Sequence, residues 1–275
     1  MTEQSFLAAC VQLTSGANVR DNLNACERLC GEARERGARL VVLPENFAFL
    51  GEHEKDKLAV AEEIDPHESG GPILKALREI AERHHMWVIG GGMPERSDEP
   101  GKVYNTLVGL SPDGSLVAKY RKIHLFDVDI PAGAQFTESA TVVRGDDVVV
   151  LTTPLAPIGL SICYDLRFAE LYRALANLGA RIVVVPAAFT LHTGRDHWHA
   201  LLRARAIENQ VYVLAAGQVG RHYDKRVTYG HSLIVDPWGT VLAEAPDQPG
   251  VIVATIDIAY QDRIRRELPC LAHRQ

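Results

Sequence analysis

The sequence feature that most constrains the fold is a strand that occurs twice. Residues 38–47 read ARLVVLPENF and residues 180–189 read ARIVVVPAAF, with Ala, Arg, Val, Val, Pro and Phe shared. Each copy is a short continuous apolar run, the pattern of a strand buried on both faces. A second pair, LVGLSPDGSLVA at 107–118 and SLIVDPWGTVLA at 232–243, repeats a strand, a Pro/Gly turn and a strand. Two copies at this separation are too few and too far apart for a solenoid. They predict one α/β sandwich with an internal pseudo-two-fold repeat: two mixed sheets face to face, with helices outside. A length of 275 residues would suit about two domains at roughly 150 residues each. No Pro/Ser/Gly-rich linker interrupts the chain, so residues 1–275 are read as a single domain.

Along the chain, β-rich runs alternate with helical patterns. Strands are expected at 6–13, 38–45, 87–92, 104–112, 115–122, 148–151, 158–163, 181–188, 212–219, 231–237 and 251–257. Asn18 can cap a helix whose apolar face carries Val19, Leu23, Cys26, Leu29, Cys30 and Ala33 at 3.6-residue spacing, with Gly37 ending it. Cys26 and Cys30 are therefore read as core thiols. Further helices are expected at 72–85, 167–178 and 197–209.

Hydrophobic residues make up 47% and charged residues 23%, which argues against a disordered chain. Lys and Arg number 29 against 35 Asp and Glu, a net charge of −6, so no nucleic-acid partner is expected. Glu3 stands where a targeting signal would be basic, and no apolar run reaches the roughly 18 residues of a membrane span. Five cysteines, an odd and sparse set, do not make a disulfide framework, and a cytoplasmic location is the default. The runs GGG (90–92) and GGP (70–72) lack phosphate-binding patterns, so no cofactor is expected. His197 and His199 diverge on a helix and there is no HExxH motif, so no catalytic metal is expected either.

Four residues stand out chemically. The repeat places Glu45 where the second copy has Ala187, and a carboxylate beside a buried strand needs a partner or a task. Cys163 ends the run IGLSIC with a helical pattern directly after it. Helix N–H groups and the dipole at such a turn would lower a thiol pKa and could hold an oxyanion. Strand alternation puts Tyr120 and Lys122 on one face and Lys119 and Arg121 on the other, so one basic set is expected to point inward. Glu138 lies in AQFTESATVV, a segment without a strong local pattern.

Together, LPENF around Glu45, KYRKIHLFDVDIP around Lys122, FTES around Glu138 and GLSICYDLRFAELYR around Cys163 resemble the signature blocks of the nitrilase superfamily of carbon–nitrogen hydrolases. The resemblance extends from about Phe6 to His273. It implies an αββα sandwich that pairs through its helical face into four-layer homodimers or higher homo-oligomers. It also implies a cofactor-free amidase acting on a small-molecule amide. Cys163 would be the nucleophile that forms a thioester, and Glu45 the general base. Lys122 and the Tyr164 backbone N–H would stabilise the oxyanion, with Glu138 as supporting carboxylate.

The segments 187–213 and 221–243 are similar to the Nit amidase branch, and GRHYDKR…YGHS…DPWGTV to its deaminated-glutathione amidases. KIHLFDVDIP is shared with ω-amidases, which hydrolyse α-ketoglutaramate. Both substrates are amides of α-keto acids. Nitrilase, ureidopropionase or carbamoylase activity, or a catalytically silent binding protein, are the alternatives. The branch usually has Glu where this chain has His199. Arg167 and Arg173 are candidates for a substrate carboxylate, and Phe189, Thr190 and Thr193 for a pocket wall. Asp165 is read as a cap, Trp198 and Trp238 as structural or interface residues.

Overall fold

Alternate residues of strand β1 (Ser5–Gln12) face two different apolar surroundings: Ala8 and Cys10 face an opposing sheet, Ala9 and Val11 a layer of helices. Leu40 and Val42 of β2 (Ala38–Val42) take the first side and Val41 the second. These runs are apolar throughout because neither face meets water. The computed structural model describes residues 5–67, 70–130, 134–223 and 226–273. Glu3, Pro131 of the KIHLFDVDIP block, and Asp224 and Lys225 of the RHYDKR block lie outside the described residues.

Helix α1 (Val19–Glu35) is capped by Asn18, whose side chain accepts from Asp21 N. With α2 (Pro72–His84) it covers the outer face of the first sheet, where Cys26, Leu29, Ile73 and Leu77 share a core with Val11 and Val41. β1, β2 and β3 (Trp87–Arg96) run parallel; β4 (Val103–Leu110) and β5 (Leu116–Arg121) follow antiparallel. β5 points Tyr120 into the inter-sheet core. On its other face Lys119 and Arg121 both reach the buried Glu95 carboxylate at 2.8 Å. A hairpin, β6 (Asp127–Ile130) with β7 (Ala134–Thr137), and the short β8 (Val142–Val143) beside β4 end this half.

The second sheet begins with β9 (Val150–Leu151) antiparallel to β10 (Ile158–Leu160). β10, β11 (Ile182–Val184) and β12 (Tyr212–Ala215) are parallel. After a second hairpin, β13 (Val219–Tyr223) with β14 (Arg226–Tyr229), the chain adds β15 (Leu233–Val235) and β16 (Val241–Glu244), both antiparallel. β17 (Gly250–Asp257) then returns to pair antiparallel with β1. The two sheets, β17-β1-β2-β3-β4-β5 and β9-β10-β11-β12-β15-β16, carry the same order of strand senses. The repeated runs ARLVV and ARIVV lie at the centre of each. Leu175 of α3 (Ala169–Asn177) and Trp198 and Leu202 of α4 (Leu191–Asn209) pack onto the outer face of the second sheet, completing the αββα layering. Helix α5 (Ile258–Glu267) is tied on by Gln261, whose Nε2 donates to Arg181 O and Gln210 O at 2.8 Å each. No described helix is long and apolar enough to cross a membrane.

Several expected boundaries are corrected. β2 and β11 stop at Val42 and Val184, since Pro44 and Pro186 cannot donate to a ladder. β10 stops at Leu160 rather than at Cys163, and Ser161 Oγ donates to Val184 O at 2.7 Å instead. Cys163–Arg167 is a 3-10 turn, and the α-helix begins only at Ala169, after an extended Phe168. α4 begins at Leu191, six residues before its expected start. Its first turn contains Gly194, a poor helix former, and packs so closely on Tyr229 that a Cβ there would lie 2.4 Å from Tyr229 Cβ. Both hairpins and α5 lack a strong sequence pattern and are not expected from the sequence.

Candidate active site

Three of the four chemically notable residues lie within three residues of the end of a sheet strand. Glu45 comes after β2, Lys122 immediately after β5, and Cys163 heads the 3-10 turn after β10. Glu138 heads the 3-10 turn Glu138–Ala140. All four are buried and line one cavity of about 330 Å³. The sheets come very close beneath it. A Cβ on Gly91 would lie 2.2 Å from Pro186 Cβ and 2.3 Å from Leu43 O, so the GGG run serves sheet contact.

Lys122 Nζ donates to Glu45 Oε1 at 3.0 Å and to Glu138 Oε2 and Oε1 at 2.8 and 3.1 Å. Asn105 Nδ2 donates to the same two carboxylates, at 3.0 Å to Glu45 Oε1 and 3.2 Å to Glu138 Oε1. Ala188 N donates to Glu45 Oε2 at 2.9 Å and Phe126 N to Glu138 Oε2 at 2.7 Å. Each carboxylate is thus fixed from both sides. Asn105 sits mid-strand in β4, and sequence reasoning missed it because nothing local distinguishes it from any other buried strand residue.

Burial opposes the charge on Lys122, but Glu138 and then Glu45 outweigh it and hold the ammonium well above its ordinary pKa. Burial likewise works against Glu138, yet Lys122, and after it Lys57, pull that carboxyl down to about 2. The Cys163 thiol goes the other way. Burial first, and then the neighbouring Glu45 carboxylate, push it well above 9.0 against the pull of Lys122 and a hydrogen bond from the Ala188 backbone. This corrects the expectation of a thiol acidified by a helix terminus. No α-helix begins at Cys163, and desolvation exceeds what a single 3-10 turn supplies. Burial and the Glu45 carboxylate both favour the protonated thiol, so its deprotonation calls for a base.

Cys163 has φ of +48°, a strained conformation for a side chain with a Cβ. Its N–H donates to Pro186 O at 2.8 Å. Asp165, fully buried, caps the turn by accepting from Ile162 N at 2.8 Å through Oδ2. It also accepts from Tyr120 Oη at 2.6 Å and His124 N at 3.1 Å, with His124 Nδ1 at 2.7 Å.

Tyr164, Phe189, Thr190 and Thr193 line the cavity, with the two threonine hydroxyls 2.8 Å apart. Arg167 and Arg173 do not. The Arg167 guanidinium lies over the Phe189 ring, 5.2 Å from its centroid and 3.3 Å from His197 Nδ1, and Arg173 is exposed on α3. Besides Lys122, the lysine and arginine side chains that line the cavity are Lys57, Arg195 and Arg226. Glu54 pairs with Lys57 at 2.6 Å and Arg226 at 3.2 Å. These three come from a 3-10 turn, the first turns of α4 and a hairpin, where charge is too common to single out. Trp198 is buried and donates through Nε1 to His231 O at 2.8 Å, a structural role, while Trp238 is exposed. The other cysteines, Cys10, Cys26, Cys30 and Cys270, are free. Among the described residues, one group of His and carboxylate donors converges closely enough for a metal ion, and it lies outside the cavity: His199, His231 and Glu244.

A thiol, a base and a buried ammonium in one small cavity are what acyl transfer through a covalent intermediate demands. The chain belongs to the carbon–nitrogen hydrolase family, which it matches over residues 7–266, and is therefore a hydrolase of carbon–nitrogen bonds. It is 46% identical over 272 residues to the deaminated glutathione amidase of Synechocystis sp., covering 98% of each chain. Its structure is similar to that of Saccharomyces cerevisiae Nit3, a member of branch 10 of the nitrilase superfamily (TM-score 0.88, 32% identity, 98% and 96% of the two chains). It is also similar to the Caenorhabditis elegans NitFhit protein (TM-score 0.92, 37% identity), of which it spans 66% while being covered in full.

Proposed function

We propose that the protein hydrolyses the amide of a small α-keto acid, deaminated glutathione foremost, through a Cys163 thioester. The reading rests above all on Lys122 Nζ bridging Glu45 and Glu138 in the cavity that Cys163 lines. Glu45 takes the thiol proton as Sγ attacks the carbonyl carbon. The oxygen becomes negative beside Lys122 and the Tyr164 N–H. Glu45 passes its proton to the leaving nitrogen and the C–N bond breaks. It then deprotonates a water that cleaves the thioester, releasing the acid and restoring the thiol. Glu138 keeps Lys122 charged and in place. Phe189, Thr190 and Thr193 form the wall that the acyl chain passes.

Deaminated glutathione carries carboxylates at both ends, and Lys57, Arg195 and Arg226 at the cavity supply the opposite charge. The 46% identity to an amidase named for that substrate favours it over α-ketoglutaramate. The test is mass spectrometry of the protein after brief mixing with each amide. An adduct on Cys163 equal to the keto-acid acyl group, with cysteinylglycine released from deaminated glutathione, is the expected result. Turnover by Cys163→Ala at the parent rate would end the proposal.

The chain is further read as a single domain, with pseudo-two-fold halves, that forms a homodimer in the cytoplasm. Exposed Ile207, Trp238 and Leu242 on α4 and the β15–β16 hairpin favour the dimer, and the free thiols favour a reducing compartment.

A further inference from the structure

We propose that His199, His231 and Glu244 form a site for one divalent transition-metal ion of the zinc class, outside the catalytic cavity. His199 comes from α4, His231 from the approach to β15 and Glu244 from the end of β16. His199 Nε2 lies 3.0 Å from Glu244 Oε1, and His231 Nδ1 lies 2.7 Å from the same oxygen. The three donor atoms are all within 4.8 Å of one another. Zinc holds imidazole nitrogens and carboxylate oxygens at about 2.0–2.2 Å, which sets neighbouring donors of a tetrahedron about 3.3 Å apart. The two contacts to Glu244, at 3.0 and 2.7 Å, already approach that spacing, and the two imidazole nitrogens lie within 4.8 Å of each other.

A second observation points the same way. The other ring nitrogen of His231, Nε2, lies 3.1 Å from Asp247 Oδ1. A metal-bound imidazole almost always donates its far N–H to a carboxylate, a backbone carbonyl or water, which sets the tautomer and strengthens the ligand. The His231 ring is also held in place. It stacks on Tyr229 with centroids 4.4 Å apart, its carbonyl accepts from Trp198 Nε1, and its φ is +53°. Two imidazoles and one carboxylate suit zinc, cobalt or nickel, whereas magnesium and calcium prefer oxygen alone. All three side chains are partly exposed, so an ion can enter and water can complete the shell. None of the three lines the catalytic cavity. The ion would clamp α4 to the β15–β16 hairpin and act on stability rather than on the reacting atoms.

The test is calorimetric titration of zinc chloride into the whole Cys163→Ala chain, in which the cavity thiol cannot compete. One ion per chain is expected at micromolar concentration, with a rise in the melting midpoint. Cobalt chloride should give a visible absorption band without a thiolate charge-transfer band. His199→Ala and Glu244→Gln should each weaken binding at least tenfold. Asp247→Asn, at an exposed position where folding is not at stake, should weaken it by about 10-fold or more. Amide turnover should be unchanged by His199→Ala in the chain that keeps Cys163. Absence of binding at millimolar zinc, or an affinity that neither His199→Ala nor Asp247→Asn alters, would overturn the site.

Discussion

Tyr120 donates its phenolic hydrogen to Asp165 Oδ2 across 2.6 Å, and this bond joins the strand leading to Lys122 with the turn that presents Cys163. The same oxygen accepts from Ile162 N, the residue before Cys163. Asp165 touches no part of the cavity; it is a positioning residue. Asp165→Asn keeps the shape and removes the charge on which these donors converge. Hydrogen bonds to a buried charge are worth about 1.5–3 kcal/mol each, and the variant should lose about 3 kcal/mol in urea unfolding. A shift of the nucleophile by a fraction of an ångström should lower kcat by about 10²-fold with little change in KM. Unchanged kcat with lowered stability would leave Asp165 a purely structural residue.

Glu45→Gln should lower the rate by about 10²–10⁴-fold, the usual worth of a general base. Cys163→Ala should lower it further and leave no adduct. The two variants separate on a reactive thioester substrate, which needs no protonation of its leaving group. Glu45→Gln should recover part of the lost rate there and Cys163→Ala none, as stopped-flow absorbance would show.

Arg195→Ala and Arg226→Ala should raise KM for a dicarboxylate amide about 10–100-fold, the cost of a lost charge-assisted hydrogen bond. An uncharged amide of similar size should be nearly unaffected. Equal effects on both substrates would show that these cations shape the wall without reading charge.

Alkaline pH should weaken the fold through its buried thiols. Burial pushes Cys26 up to about 12 and holds Cys10 and Cys30 well above the ordinary 9.0. Above pH 9 the unfolded chain loses thiol protons that the native chain keeps, so stability falls as pH rises, by about 1.4 kcal/mol per pH unit per thiol. For Cys26 this runs from pH 9 to about 12. Lys122, whose raised pKa contributes stability below 10.5, adds to the loss at higher pH. On the acid side Glu138, lowered to about 2, contributes stability above pH 4.5 and loses it as pH falls from 4.5 to about 2. Urea unfolding of Cys26→Ala between pH 9 and 11 should show a slope shallower by about 1.4 kcal/mol per unit; an unaltered slope would contradict the assignment.

Trp238→Arg should convert the proposed dimer into a monomer by light scattering, since Trp238 is 58% exposed in the protomer and large apolar side chains left in water mark interfaces. A dimer that persists would place the interface elsewhere.

Much of the site could be read from residue order because it hangs on regular elements. Alternation on β5 put Lys122 on the Tyr120 face, which is the inward one, and the repeat marked Glu45 by its missing counterpart. What stayed hidden depends on contacts between distant segments. Asn105 is one polar residue in an apolar strand until β4 brings it within reach of both Glu45 and Glu138. Gly194 argues locally against a helix, and only the closeness of Tyr229 explains why it lies in one. Likewise His199 and His197 diverge as their spacing requires, yet His199 on α4 meets His231 at the approach to β15.

The division of the site between two sheets carries a consequence for biosynthesis. Glu45, Lys122 and Glu138 lie in or just after the first half of the chain, and Cys163 emerges only with the second. The Ala188 N–H that fixes Glu45 comes later still. A chain translated only through its first half therefore holds Glu45 and Lys122 without Cys163 or the Ala188 N–H. The cavity that all four residues line comes into being only when the second half has closed on the first.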